Sequence, residues 1–225
     1  APVRASVAQP SSVPRPQLSP TAPAEASALS PEARLGALAE IGVRVEACAE
    51  CALRQNRTRS VPGQGNADSP DVMFIGEAPG FDEDQQGLAF VGAAGQLLTK
   101  MIAAMGYARD EVFIANICKC RPPENRPPLP EEMQKCLPFL REQIRLIRPK
   151  TIVLLGGTAI KGLLDTQVGV NRIQGQWTQY DGIPVMPTFH PSYLLRFEPA
   201  KRDAWHALKL VLAHLGKPVP GTPKK

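Results

Sequence analysis

Apolar residues fall along this chain in two rhythms. Four short runs, "DVMFIG" (71–76), "VFIANI" (112–117), "TIVLLG" (151–156) and "PVMPTFH" (184–190), are rich in β-branched and aromatic residues and bounded by turn residues, which predicts buried strands. Between and after them, "AAGQLLTKMIAAMGY" (93–107), "LPEEMQKCLPFLREQIRLI" (129–147), "TAIKGLLD" (158–165) and "AKRDAWHALKLVLAHL" (200–215) carry apolar residues at helical spacing. Pro130 followed by Glu131 and Glu132 suits a first helical turn, whereas Pro138 predicts a kink or a break in the same helix. A helical segment from about 32 to 54 precedes the first strand. This alternation implies an α/β fold in three layers (αβα), with a central four-stranded, mainly parallel sheet between helices.

The rhythm fades at both ends. Residues 1–30 are mostly Pro, Ala, Ser and Gln with few bulky apolar side chains, so burial cannot offset the entropy of ordering them. A disordered arm (1–30), one domain (31–216) and a frayed tail (217–225) are expected. No stretch of eighteen apolar residues exists and the N-terminus lacks the layout of a secretory signal, so no membrane association and a soluble, cytoplasmic protein are expected. The net charge of +5 leans only weakly toward a polyanionic partner.

In an open parallel sheet, ligands bind outside the carboxyl ends of the strands. The unusual polar stretches all follow strands: "IGEAPGFDEDQQGLAFVG" (75–92), "NICKCRPPENR" (116–126), "GGTA" (156–159) and "HPSYLLR" (190–196). They are expected to meet at one sheet edge, with the acidic glycine turn as part of a cleft. Of the five cysteines, Cys48 and Cys51 form a Cys-x-x-Cys, and Cys120 and Cys136 flank a Pro-rich loop. Two separated thiol pairs suit either tetrahedral zinc or a cubane iron–sulfur cluster. Cys118 competes with Cys120 as ligand, and Cys120 is preferred because it lies past the strand end.

Taken together, "GEAPGFDEDQQGLAFVGAAGQLL", "NICKCRPPENRPP" and "FHPSYLL", with the Cys-x-x-Cys upstream, resemble the family-4 uracil-DNA glycosylases, over about residues 35–215. The resemblance implies a uracil-DNA glycosylase fold and a 4Fe-4S cluster on Cys48, Cys51, Cys120 and Cys136, with Cys118 spare. It also implies a monomer that flips uracil out of single- or double-stranded DNA and hydrolyses the N-glycosidic bond. An abasic site is left, which initiates base excision repair. One departure stands out: Ala89 occupies a position where the family commonly has proline, which predicts a looser turn before Phe90.

By this resemblance, Phe90 stacks on the flipped base, and Asn116 offers a donor and an acceptor to the uracil O4 and N3–H edge. His190 faces uracil O2, where an imidazole N–H stabilises the departing anion. The residue matching the water-orienting aspartate of another branch is Ala78. Glu83 is therefore the candidate for placing water, with Glu77 and Asn125 as further candidates and a second use for Glu83 in excluding thymine. Backbone N–H groups around Gly76, Glu77 and Ala78 can approach the base. Arg121 and Arg196 pair with phosphates, and Leu194 or Leu195 wedges into the gap in the stack. Asp82 and Asp84 read as a solvated edge or turn caps. The cleft motifs are read as offering no lysine for lyase chemistry.

Two rivals share the fold. A relative that cross-links to uracil-DNA through a histidine on an inserted loop is disfavoured, because no histidine lies between Gly92 and Phe189. A catalytically silent nucleic-acid-binding module would produce no abasic sites.

Overall fold

The structure, a computed structural model, describes residues 30–221, so the expected arm up to residue 29 and the last four residues of the tail lie outside the described residues. Helix α1 (Pro31–Ala47) starts at Ser30, whose hydroxyl caps Ala33 N. Strands β1 (Gln64–Gly65) and β2 (Val72–Gly76) follow, then helices α2 (Phe81–Gln86) and α3 (Ala93–Ala104) and strand β3 (Phe113–Asn116). Next come α4 (Pro130–Ile147), β4 (Thr151–Leu155), α5 (Gly157–Leu164) and α6 (Val170–Ile173). Strands β5 (Thr178–Tyr180) and β6 (Ile183–Thr188) and helices α7 (Pro191–Arg196) and α8 (Lys201–His214) complete the order.

The sheet order is β1-β3-β2-β4-β6-β5. The four expected strands form its parallel centre, as β3-β2-β4-β6. Two antiparallel edges, β1 against β3 and β5 against β6, raise the four expected strands to six. These edge strands are short and partly exposed, so they carry no apolar run.

Period-two alternation splits each central strand between two cores. Met73, Ile75, Phe113, Ala115, Ile152 and Leu154 pack against α4 and α5 through residues such as Leu140, Ile144 and Ile160. Val72, Phe74, Ile114, Val153, Leu155 and Met186 pack against α3 and α8 through Leu98, Ile102, Leu208 and Val211. Three layers result. Pro138 neither breaks nor ends α4: it lies on the exposed face, as does Gln134, whose carbonyl it cannot pair with. At the far end, Lys217 pairs with Asp71 at 2.6 Å and Val219 packs on the core, so the first residues of the expected tail are held.

Candidate functional site

The carboxyl ends of β2, β3, β4 and β6 open into a cleft of about 600 Å³. Its lining includes Glu77, Ala78, Glu83, Phe90, Asn116, Asn125, His190 and Arg196. Residues from four separate stretches thus meet as expected. Gly76 lies beneath this surface and governs its shape. A β-carbon there would fall 2.5 Å from Asn116 Oδ1 and would strike the Phe90 ring, so only glycine lets the ring and the amide converge at the end of β2. Asn116 is buried, and its Oδ1 accepts no hydrogen bond among the described residues. A buried, unpaired acceptor is costly, and in the lining of a cleft it is open to a donor from a ligand.

Phe90 adopts a left-handed backbone, φ 54°, which a bulky residue keeps only when its surroundings hold it. Arg109 reaches across from beyond α3 and donates to the carbonyls of Ala89 (2.5 Å) and Phe90 (2.8 Å). Glu83 Oε1 accepts from Val91 N and Gly92 N, both at 2.8 Å, and Oε2 accepts from Gly80 N at 3.0 Å. The acidic stretch read as a turn is therefore the first turn of α2, where carboxylates complement the helix dipole. Asp84, expected as a solvated edge or a turn cap, is not solvated: it is buried and accepts from the backbone Thr58 N at 2.9 Å. Nor does Ala89 loosen the loop. Its N–H, which proline would lack, donates to Gln64 Oε1 at 3.1 Å.

His190 caps α7. Its Nδ1 accepts from Ser192 N at 3.1 Å, which leaves the ring proton on Nε2. Burial pushes the imidazole down to about 4, and the Arg196 charge adds to this, so the ring is neutral at physiological pH. The ring lies 5.6 Å from Phe90, tilted by 33°. Gly156, with φ 88°, lets the end of β4 pass close by, since a β-carbon there would come within 2.8 Å of His190 Cβ. Glu77 accepts a short hydrogen bond from the Thr158 hydroxyl through Oε2.

The rim separates the remaining candidates. Arg121 lies 5.0 Å above the ring of Phe81 and donates from Nε to Asn125 Oδ1 at 2.7 Å. Arg196 is exposed. The two leucines divide: Leu194 is 1% exposed, packed among Ala200, Ala204 and Leu97, whereas Leu195 is 47% exposed. A residue in the core cannot wedge into DNA, so Leu195 alone remains for that role.

Cys48, Cys51, Cys120 and Cys136 line one small pocket between α1 and α4, together with Leu53 and Phe139. Among the described residues no His, Cys, Asp and Glu side chains form a group of three or more close enough for one metal ion. The donor set nevertheless suits a sulfur-ligated cluster, whose thiolates stand farther apart than those around one ion. Arg57 donates to Cys120 Sγ at 3.0 Å and Lys119 N to Cys136 Sγ at 3.1 Å, bonds that favour the thiolate form. Cys118 is buried beside this pocket but is not in its lining.

Several contributors carry no sequence signal of their role: Arg109 on the Phe90 loop, Thr158 on Glu77, Ser192 on His190. Lys119 is another. It lies inside the "NICKCRPPENR" motif, contrary to the reading that no lysine does, yet it is fully buried away from the cleft. Its ammonium donates to Asn116 O (3.0 Å) and Gln143 Oε1 (2.7 Å), and burial pushes it down to about 8.

Comparison with known proteins gives the same picture. The profile of the uracil DNA glycosylase superfamily matches residues 62–209. The chain is 46% identical over 158 residues to the type-4 uracil-DNA glycosylase of Thermotoga maritima, covering 69% of this chain and 82% of the relative. Those of Archaeoglobus fulgidus (40% over 178 residues, 76% and 88%) and Sulfurisphaera tokodaii (43% over 171 residues, 72% and 77%) are similar as well. The chain therefore belongs to the type-4 uracil-DNA glycosylases of the uracil-DNA glycosylase superfamily.

Proposed function

We propose that this chain removes uracil from DNA by hydrolysing the N-glycosidic bond, with the roles below for the residues of the cleft. The observation that carries the reading is the orphaned Asn116 Oδ1, buried next to the Phe90 ring and across from His190. An extruded uracil stacked on Phe90 would place its N3–H on that oxygen and its O4 on the Asn116 amide N–H. Cytosine presents the opposite pattern and would leave two buried groups unpaired, a strong basis for rejection.

As the bond lengthens, negative charge grows on uracil O2. The neutral His190 ring meets it with the Nε2 proton that Ser192 fixes in place. Water is placed by Glu77, which lines the cleft with one oxygen held by Thr158, with Asn125 as a second polar group of the lining. Glu83 serves instead by anchoring the Phe90 loop through the backbone N–H groups of Val91 and Gly92, while its other oxygen holds Gly80 N at the start of its own helix. Among the described residues no lysine lines the cleft, which favours simple hydrolysis over lyase chemistry. Outside the pocket, Arg121 and Arg196 pair with phosphates and Leu195 fills the vacated stack.

The cysteine pocket fits a 4Fe-4S cluster held by Cys48, Cys51, Cys120 and Cys136. Such a group supplies a covalent tie between the N-terminal segment and the loop from Arg121 to Pro130. Lys119, flanked by the cysteines, then ties that tie to the Asn116 carbonyl. The protein is proposed to act as a monomer.

The test is base release from matched oligonucleotides containing uracil, thymine or cytosine, followed by alkaline cleavage. Strand breaks at uracil alone are expected. No breaks at uracil would refute the activity, and a protein–DNA band stable to denaturation would favour the cross-linking relative.

A further inference from the structure

Bare aromatic surface flanks the cleft on both sides. On one lip stands Phe81, the first residue of α2, 54% exposed with the Arg121 guanidinium over one face of its ring. On the other stands Tyr193, 36% exposed. Tyr193 is the middle ring of a row along α7, with centroids 5.2 Å from Phe189 and 5.7 Å from Phe197. Phe81 and Tyr193 both line the cleft itself. Water-exposed rings give up the stabilisation that burial would supply, so a pair of them at the mouth of a binding site calls for a partner.

The occupant follows from what adjoins them. The cleft between the lips admits one extruded base, and the strand carrying that base must leave it in two directions, past both lips. Each lip offers a flat π-face beside an arginine: Arg121 behind Phe81, Arg196 on the same helix as Tyr193. A ring paired with a cation is how proteins hold single-stranded nucleic acid, stacking a base while the charge meets its phosphate. Tyr193 stands too close to Phe189 and Phe197 for a base to slide between them, so contact is made with the part of its ring left exposed, and with the side of Phe81 away from Arg121.

We propose that Phe81 and Tyr193 form a stacking clamp for the unpaired nucleotides on either side of the extruded uracil, and so favour single-stranded substrate. This inference rests on the glycosylase reading above. In duplex DNA the flanking bases stay paired and stacked on their neighbours, out of reach of the rings.

The experiment compares kcat/KM for uracil release on single-stranded and duplex oligonucleotides of one sequence, for the full chain and for Phe81→Ala, Tyr193→Ala and Tyr193→Phe. Val43→Ala, at an exposed apolar residue on α1, is the control. Each alanine variant is expected to lower the single-strand value about tenfold relative to the duplex value, mainly through KM, with Tyr193→Phe restoring it. Replacing the two flanking nucleotides by abasic linkers should cost the wild-type protein a similar factor and make the alanine variants no worse. Equal losses on both substrates, or losses that add to those from the abasic linkers, would overturn the clamp. Absence of uracil release by the wild-type protein would overturn the glycosylase reading instead.

Discussion

Replacing Asn116 with leucine separates a recognition residue from a structural one. Leucine keeps the branching of asparagine and is somewhat larger, so the change removes polarity without leaving a void. Among the described residues Asn116 Oδ1 is buried without a partner, a situation that costs about 1–3 kcal/mol. Leucine removes that cost and adds apolar contact with Phe90. Asn116→Leu should therefore be at least as stable as the wild type, with a melting temperature higher by about 2–8 °C for a domain of this size. Activity should move the opposite way. Two hydrogen bonds to the uracil edge disappear, and at about 1–3 kcal/mol each the loss in kcat/KM is about 10²–10⁴-fold. Thermal unfolding alongside single-turnover uracil release measures both quantities on one preparation. A variant that is destabilised by more than about 1 kcal/mol and loses activity only in proportion to its unfolded fraction would show that Asn116 ties the strand end together and does not read the base.

Four further outcomes follow from the geometry. The neutral His190 ring, with its pKa near 4, predicts that kcat/KM stays flat from pH 8 to about pH 5; a loss of activity centred near pH 6.5 would contradict a neutral donor. Because the unfolded chain binds that proton near 6.5 and the folded ring only near 4, stability should fall by about 1–3 kcal/mol as pH drops through this interval, less in a His190→Gln variant. Burial raises the Asp71 carboxyl, but hydrogen bonds from Lys150, Lys217 and Tyr107 together outweigh it and bring it down to about 2. Asp71→Asn should thus cost about 1 kcal/mol at pH 7 after solvent screening, and chemical denaturation should find that difference vanishing as pH falls from 4 toward 2. Replacing Cys136 with serine should lower iron content and solubility together; unchanged iron, measured by absorbance and metal analysis, would remove Cys136 from the ligand set.

The parallel centre of the sheet was legible because β-branched runs between turn residues leave little choice, and the strand-end rule then located the cleft. Phe90, Asn116 and His190 are far apart in sequence, and only the family resemblance together with that rule brought them to one place. What escaped the sequence has physical causes. The six residues of α2 are too few to show a helical repeat, and their flanking glycines mimic a turn. Whether Glu83 faces water or backbone depends on how the Phe90 loop folds back, which no local pattern encodes. A lysine reads as surface, yet Lys119 is fully buried because Asn116 O and Gln143 Oε1 solvate its ammonium. Leu194 and Leu195 could not be told apart until the phase of a short helix was known.

The left-handed backbone at Phe90 bears on speed as well as shape. Arg109 and Glu83 enforce that unfavourable conformation as the protein folds, so the platform is rigid before any nucleotide arrives. In the proposed role, an incoming base would find a finished surface, with none of its binding energy diverted into ordering the loop.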